Sequence, residues 1–79
     1  RQPVYLLEKA SLNVRVARYA EALPILAVLI NAFPDDMDCN RLLGFCYIQL
    51  GDKQRGLPYL EKAATMGDNN AATLLERYK

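Results

Sequence analysis

Residues 37 to 70 limit most strongly what this chain can become. They read as two amphipathic helices parted by Gly51-Asp52, with Leu43, Gly44 and Tyr47 in the first half and Gly56, Leu60 and Ala63 in the second. Moved back by 34 residues, the stretch lies on residues 3 to 36 without a gap. Leu23-Pro24 then falls opposite Leu57-Pro58, Leu26 opposite Leu60, and Ala22 opposite Gly56. Proline inside a helix is tolerated only near the first turn, so the repeated Leu-Pro fixes where both second helices begin. A helix hairpin of this kind cannot bury its apolar face alone and must stack on neighbours.

The remaining signals fill in a five-helix chain. Residues 3 to 17 read as the first helix: Pro3 suits an initial position, and Leu6, Leu7, Ala10, Val14 and Ala17 recur at helical spacing. Arg15 and Arg18 sit near its C-terminus, where positive charge favours the helix dipole. Residues 19 to 32 form the second helix, and from Ala20 to Ala32 only Glu21 and Asn31 are clearly polar. That run is too short to span a bilayer and fits a buried helix. One thin layer of neighbours cannot cover all its sides, so Ile25, Val28, Leu29 and Ala32 are expected to meet in part another chain or segment.

Phe33-Pro34 ends the second helix, because the residue before proline is pushed out of the α region. Asp35, Asp36 and Asp38 open the third, which reaches Leu50 before Gly51 stops it. Asp52 caps a fourth helix to Met66, Gly67 repeats the stop, and Asp68 or Asn69 caps a fifth to Lys79. Leu74, Leu75 and Tyr78 share one face of that last helix. The pattern predicts a single all-α domain of antiparallel helix hairpins: a unit over 3–36, a unit over 37–70 and a closing helix over 71–79.

Composition removes several classes of function. The net charge is +1, from 10 basic and 9 acidic residues, too balanced to select DNA, RNA or an anionic membrane. Histidine is absent, Ser11 is the sole serine, and no glycine-rich phosphate loop exists. Asp35-Asp36-Met37-Asp38 lacks the loop glycine and terminal glutamate of a calcium site. The chain reads as a non-enzyme with no cofactor or metal. Cys39 and Cys46 are seven residues apart on one helix, roughly 10 Å between Cα atoms, which is beyond a mutual disulfide. Two small buried thiols in a reducing, cytoplasmic setting are expected, with an intermolecular bridge as the alternative. The chain opens on Arg1 rather than Met, as a processed fragment would. Apolar residues are 52% of 79, high for a core of this size, and the excess suggests a partner.

With Leu43, Gly44, Tyr47, Gly56, Leu60 and Ala63 set around a Gly-Asp break, residues 37 to 70 resemble a tetratricopeptide (TPR) repeat. The likeness is specific there, fair over 19–36 and weak over 3–18. Lys9 and Asn13 stand where the family has a large apolar residue and a tyrosine, and no Gly-Asp break parts Ala17 from Arg18. The first helix is therefore expected to be rotated or shifted against the pattern. The resemblance implies a right-handed array whose first helices line a concave groove for an extended or helical peptide. Carried over by position, the groove would present Arg41, Phe45, Ile48 and Gln49 from the second unit. Val4, Leu7, Ser11 and Val14 would come from the first, and Leu75 from the closing helix.

Clamps that grip a C-terminal carboxylate would fall at Leu7, Ser11, Leu42, Ala72 and Glu76, none of them suited to the task. The implied ligand is a hydrophobic segment of a partner protein. In size, pattern and surface character the chain resembles the small TPR chaperones of bacterial type III secretion. Those hold an aggregation-prone secreted or export-apparatus subunit in the cytoplasm. The expected function is a non-catalytic chaperone or adaptor in a hetero-complex, with a homodimer as the other stoichiometry. The alternative is a fragment of a longer TPR scaffold that assembles a multiprotein complex.

Overall fold

A computed structural model describes residues 4 to 79; Pro3, expected at the first helical position, lies outside the described residues. Five helices follow in order: α1 (Val4–Arg15), α2 (Tyr19–Ala32), α3 (Met37–Gln49), α4 (Lys53–Thr65) and α5 (Asn69–Tyr78). Each packs on its sequence neighbours, and α1 also meets α3 as α3 meets α5. The result is an all-α array of antiparallel hairpins in two layers, with α1, α3 and α5 in one and α2 and α4 in the other. Pro24 and Pro58 both lie inside their helices, at matching places in α2 and α4.

Three of the four turns close in the same way. After α3, Gly51 (φ 89°) lets its own N–H reach Ile48 O at 3.0 Å, while Asp52 N–H reaches Tyr47 O at 2.8 Å. After α4, Gly67 (φ 107°) repeats this, with Asp68 N donating to Ala63 O at 3.0 Å. After α1 the left-handed place falls to Ala17 (φ 62°), and Arg18 N donates to Asn13 O at 2.7 Å. This paired bonding satisfies carbonyls that a helix end would otherwise leave open. Ala17 and Arg18 stand 34 residues before Gly51 and Asp52, so α1 is not shifted along the chain against the second unit. Lys9 and Asn13 depart from the pattern in chemistry while the backbone keeps the register.

Small residues set the spacing within each hairpin. Gly44 and Gly56 face each other where α3 crosses α4, and Ala10 and Ala22 hold the matching places in α1 and α2, both fully buried. Ala10, Ala22 and Leu26 share a core cluster with Leu42, Leu43 and Cys46, joining the first hairpin to α3. Leu60, Ala63 and Ala71 form a second cluster under α5.

The α2–α3 turn has no left-handed residue; Phe33 takes φ −132°. Side chains hold it instead. The Pro34 carbonyl accepts from Asn40 Nδ2 at 3.0 Å and from Lys62 Nζ at 2.7 Å, and Asn40 Nδ2 also donates to Asp36 O at 2.8 Å. The three aspartates read together from sequence part company here. Asp36 caps α3 by accepting from Cys39 N at 3.0 Å, Asp38 pairs with Arg41, and Asp35 pairs with Lys62.

The apolar run of α2 divides as well. Leu29, expected to face outward in part, is buried, because it falls on the same side as Ala22 and Leu26. Val28 stays 63% exposed and Ala32 is exposed. Val28 lines an apolar hollow with Leu6, Pro24 and Ile25.

Candidate protein-binding surface

Among the described residues, the layer of α1, α3 and α5 is backed by α2 and α4 on one side and by no element on the other. Every residue expected in the groove lies on these three helices, but their surroundings differ. Val4 is 54% exposed. Leu7 and Val14 are half-buried against the first core cluster, and Ser11 is half-buried beside them. Ile48 and Leu75 are half-buried against the second cluster, so the structure brings these two together over Leu60, Ala63 and Ala71.

Arg41 is braced within the chain. Its Nη1 donates to Asp68 Oδ2 at 2.6 Å and to Asp38 Oδ1 at 3.0 Å. Asp68 is almost wholly buried and is the N-cap of α5, accepting from Asn70 N at 3.0 Å and Ala71 N at 3.2 Å through its other oxygen. Burial works against both charges. On Arg41 the hydrogen bonds and attraction of Asp68 and Asp38 prevail and raise its pKa. On Asp68 the Arg41 hydrogen bond, with the backbone N–H groups of Ala71 and Asn70, prevails and lowers its pKa. The guanidinium thus ties α3 to the start of α5, and Asp38 and Asp68 already neutralise it.

Phe45 and Gln49 are also engaged. The Phe45 ring meets Tyr19 edge to face, with centroids 5.8 Å apart, and Gln49 Nε2 donates to the Tyr78 hydroxyl at 2.9 Å. Gln49 is exposed, so that bond can open to solvent or to a ligand at little cost. On the α3–α4 hairpin, Tyr47 and Tyr59 stack at 5.9 Å.

Sequence reasoning missed a second feature of α1. Tyr5, Leu12 and Val16 are exposed on a different side from Leu7 and Val14. The 34-residue shift held the signal, because it sets Tyr5 opposite Cys39 and Leu12 opposite Cys46, two fully buried side chains. Asn40 was also missed: it is buried, and its Oδ1 has no hydrogen-bond partner.

The surface holds apolar side chains, one hydroxyl, one amide and one neutralised guanidinium. Such a set can bind and orient a chain segment. Among the described residues, no cluster of metal-ligating side chains occurs and no helix is long and apolar enough to cross a membrane. Comparison with protein-family models, with curated proteins and with solved structures finds no match.

Proposed function

We propose that this chain is a non-catalytic protein-binding module that takes a hydrophobic segment of a partner protein on the α1–α3–α5 layer. One observation carries the reading. Leu7, Val14, Ile48 and Leu75 remain half-buried on a layer that the fold backs from one side alone. Each is already half-buried, so covering the rest would contribute about 1 kcal/mol apiece, and several anchors acting together are needed for a specific complex. With Arg41 neutralised by Asp38 and Asp68, apolar contact rather than charge would select the ligand. The finer reading is a chaperone or adaptor. Its support is the resemblance to small TPR chaperones of type III secretion, which makes an aggregation-prone secreted or export-apparatus subunit the first partner class to try.

Titration of the isotope-labelled chain with two synthetic peptides tests the proposal, one an apolar amphipathic helix and the other an acidic C-terminal segment. The expected result is saturable shifts at Leu7, Ser11, Ile48, Gln49 and Leu75 with the apolar peptide alone. Binding of the acidic peptide with equal strength, or shifts confined to other surfaces, would remove the reading.

A further inference from the structure

Among the described residues, nothing covers the outer face of α1. Tyr5 is 71% exposed and Leu12 53%, and with Glu8, Lys9 and Arg15 they line an open hollow of about 460 Å³ whose other edge is formed by Leu7 and Ser11. The internal register supplies a comparison. On α3 the matching residues, Cys39 and Cys46, are fully buried, and Cys46 packs in one cluster with Ala22 and Leu26 of α2. A helix covers this face in the second unit, and among the described residues no element covers it in the first.

The charges on the face indicate which helix fits. Glu8 and Arg15 are seven residues apart, close to two turns, so they project from the same edge. Both are exposed, and neither has an ion-pair partner among the described residues. When two copies of one helix pack antiparallel about a twofold axis, side chains on the same edge meet, i with j and j with i. An axis beside Leu12 sets Glu8 against Arg15 of the second copy, and Arg15 against its Glu8. Leu12 then meets its own counterpart, and Tyr5 lies beside Val16, which is 54% exposed. The edge is self-complementary in charge, and Tyr5, Leu12 and Val16 are covered together.

We propose that a second copy of this chain docks on this face, α1 against α1, as an antiparallel twofold dimer. A single helix per copy offers less than the roughly 1,200–2,000 Å² of a stable standard interface, so the dimer is weak and concentration-dependent. It is centred on a different side of α1 from Leu7 and Val14, although Leu7 and Ser11 border the same hollow, so a dimer would crowd the first-unit end of the partner-binding layer; its test uses the chain alone and needs no partner.

Sedimentation equilibrium of the full chain over a wide concentration range is the test, with circular dichroism to check that each variant folds. Leu12→Glu is expected to abolish dimerisation. Glu8→Arg and Arg15→Glu should each weaken it roughly tenfold or more by setting like charges together. The double variant Glu8→Arg/Arg15→Glu should regain the wild-type constant. A chain that is monomeric at every concentration would overturn the proposal. So would association indifferent to the single reversals, or not restored by the double one.

Discussion

Gly44 and Gly56 meet backbone to backbone where α3 crosses α4. A methyl group on Gly44 would lie 2.8 Å from the Gly56 carbonyl oxygen, and one on Gly56 would lie 2.5 Å from the Gly44 carbonyl oxygen. Neither carbonyl can move without parting the helices. Gly44→Ala and Gly56→Ala should each cost about 1–3 kcal/mol, despite alanine's better helix propensity. Gly56→Ala should be the worse, since its methyl would also lie 2.7 Å from Ile48 Cγ1. Urea denaturation measures both. An increase in stability would show that the crossing is looser than described.

The first hairpin invites the opposite change. Ala17 holds a left-handed conformation that Gly51 and Gly67 hold at the matching ends of α3 and α4. An L-residue pays roughly 1–2 kcal/mol there, and glycine gives back part of that relief through its freer unfolded chain. Ala17→Gly should therefore stabilise the domain by about 0.5–1 kcal/mol, read as a higher urea midpoint with an unchanged slope. A lower midpoint would mean that Ala17 is not held left-handed.

These two sites also mark how far sequence reaches. The helices, the two Leu-Pro starts, the Asp52 cap and the glycine stops were legible because each depends on residues within a turn or two. The match of Ala22 to Gly56 was legible through the repeat. Arg41 was not. Read as a groove residue, it is held by Asp68, 27 residues away, and no local pattern announces that pair. Phe45 on Tyr19 and the buried Asn40 escaped for the same reason. The side of α1 bearing Tyr5 and Leu12 was passed over because the stripe through Leu6, Leu7, Ala10 and Val14 already explained a helix.

Asp68 links acidity to the docking of α5. Its folded pKa lies below the ordinary value of 3.8. Its contribution is thus fully present above that value and is lost as pH falls through the lower folded value. Asp68→Ala removes both the cap and the ion pair, and should cost about 2–4 kcal/mol at neutral pH. Asp68→Asn keeps a capping oxygen and should cost less. The difference between wild type and Asp68→Asn should shrink when the denaturation series is repeated below pH 3.8. A gap independent of pH would separate the residue from its charge.

The two thiols should be silent in the folded chain. Cys39 and Cys46 are free and buried. Burial, joined by the nearby negative charge of Asp36, pushes Cys39 up to about 12, and burial pushes Cys46 up to about 11. At pH 8 almost no thiolate exists at either site. Reaction with an aromatic disulfide reagent should proceed at the rate of unfolding, and should accelerate in urea. Labelling at the rate of a free peptide thiol in native buffer would contradict the burial.

Asn40 should behave as a structural latch on the α2–α3 turn. Asn40→Ala frees the Pro34 and Asp36 carbonyls from its amide and leaves a buried gap, at an expected cost of about 2–4 kcal/mol. Lys62→Met removes the other donor to Pro34 at a more exposed site, and about 1 kcal/mol is expected. A chemical-denaturation comparison that ranked Lys62 above Asn40 would reverse these assignments.

The two-layer arrangement has a kinetic consequence. Among the described residues, the α3–α4 hairpin is packed from both ends, whereas α1 and α5 each have a neighbour on one side only. In an array held by nearest-neighbour contacts, the end elements open most cheaply and the middle opens with the whole. Amide protons of α3 and α4 should thus exchange slowest, with those of α1 and α5 fastest. Whatever settles on α1 would show itself first as slower exchange at the ends of the array, well before any change reached its centre.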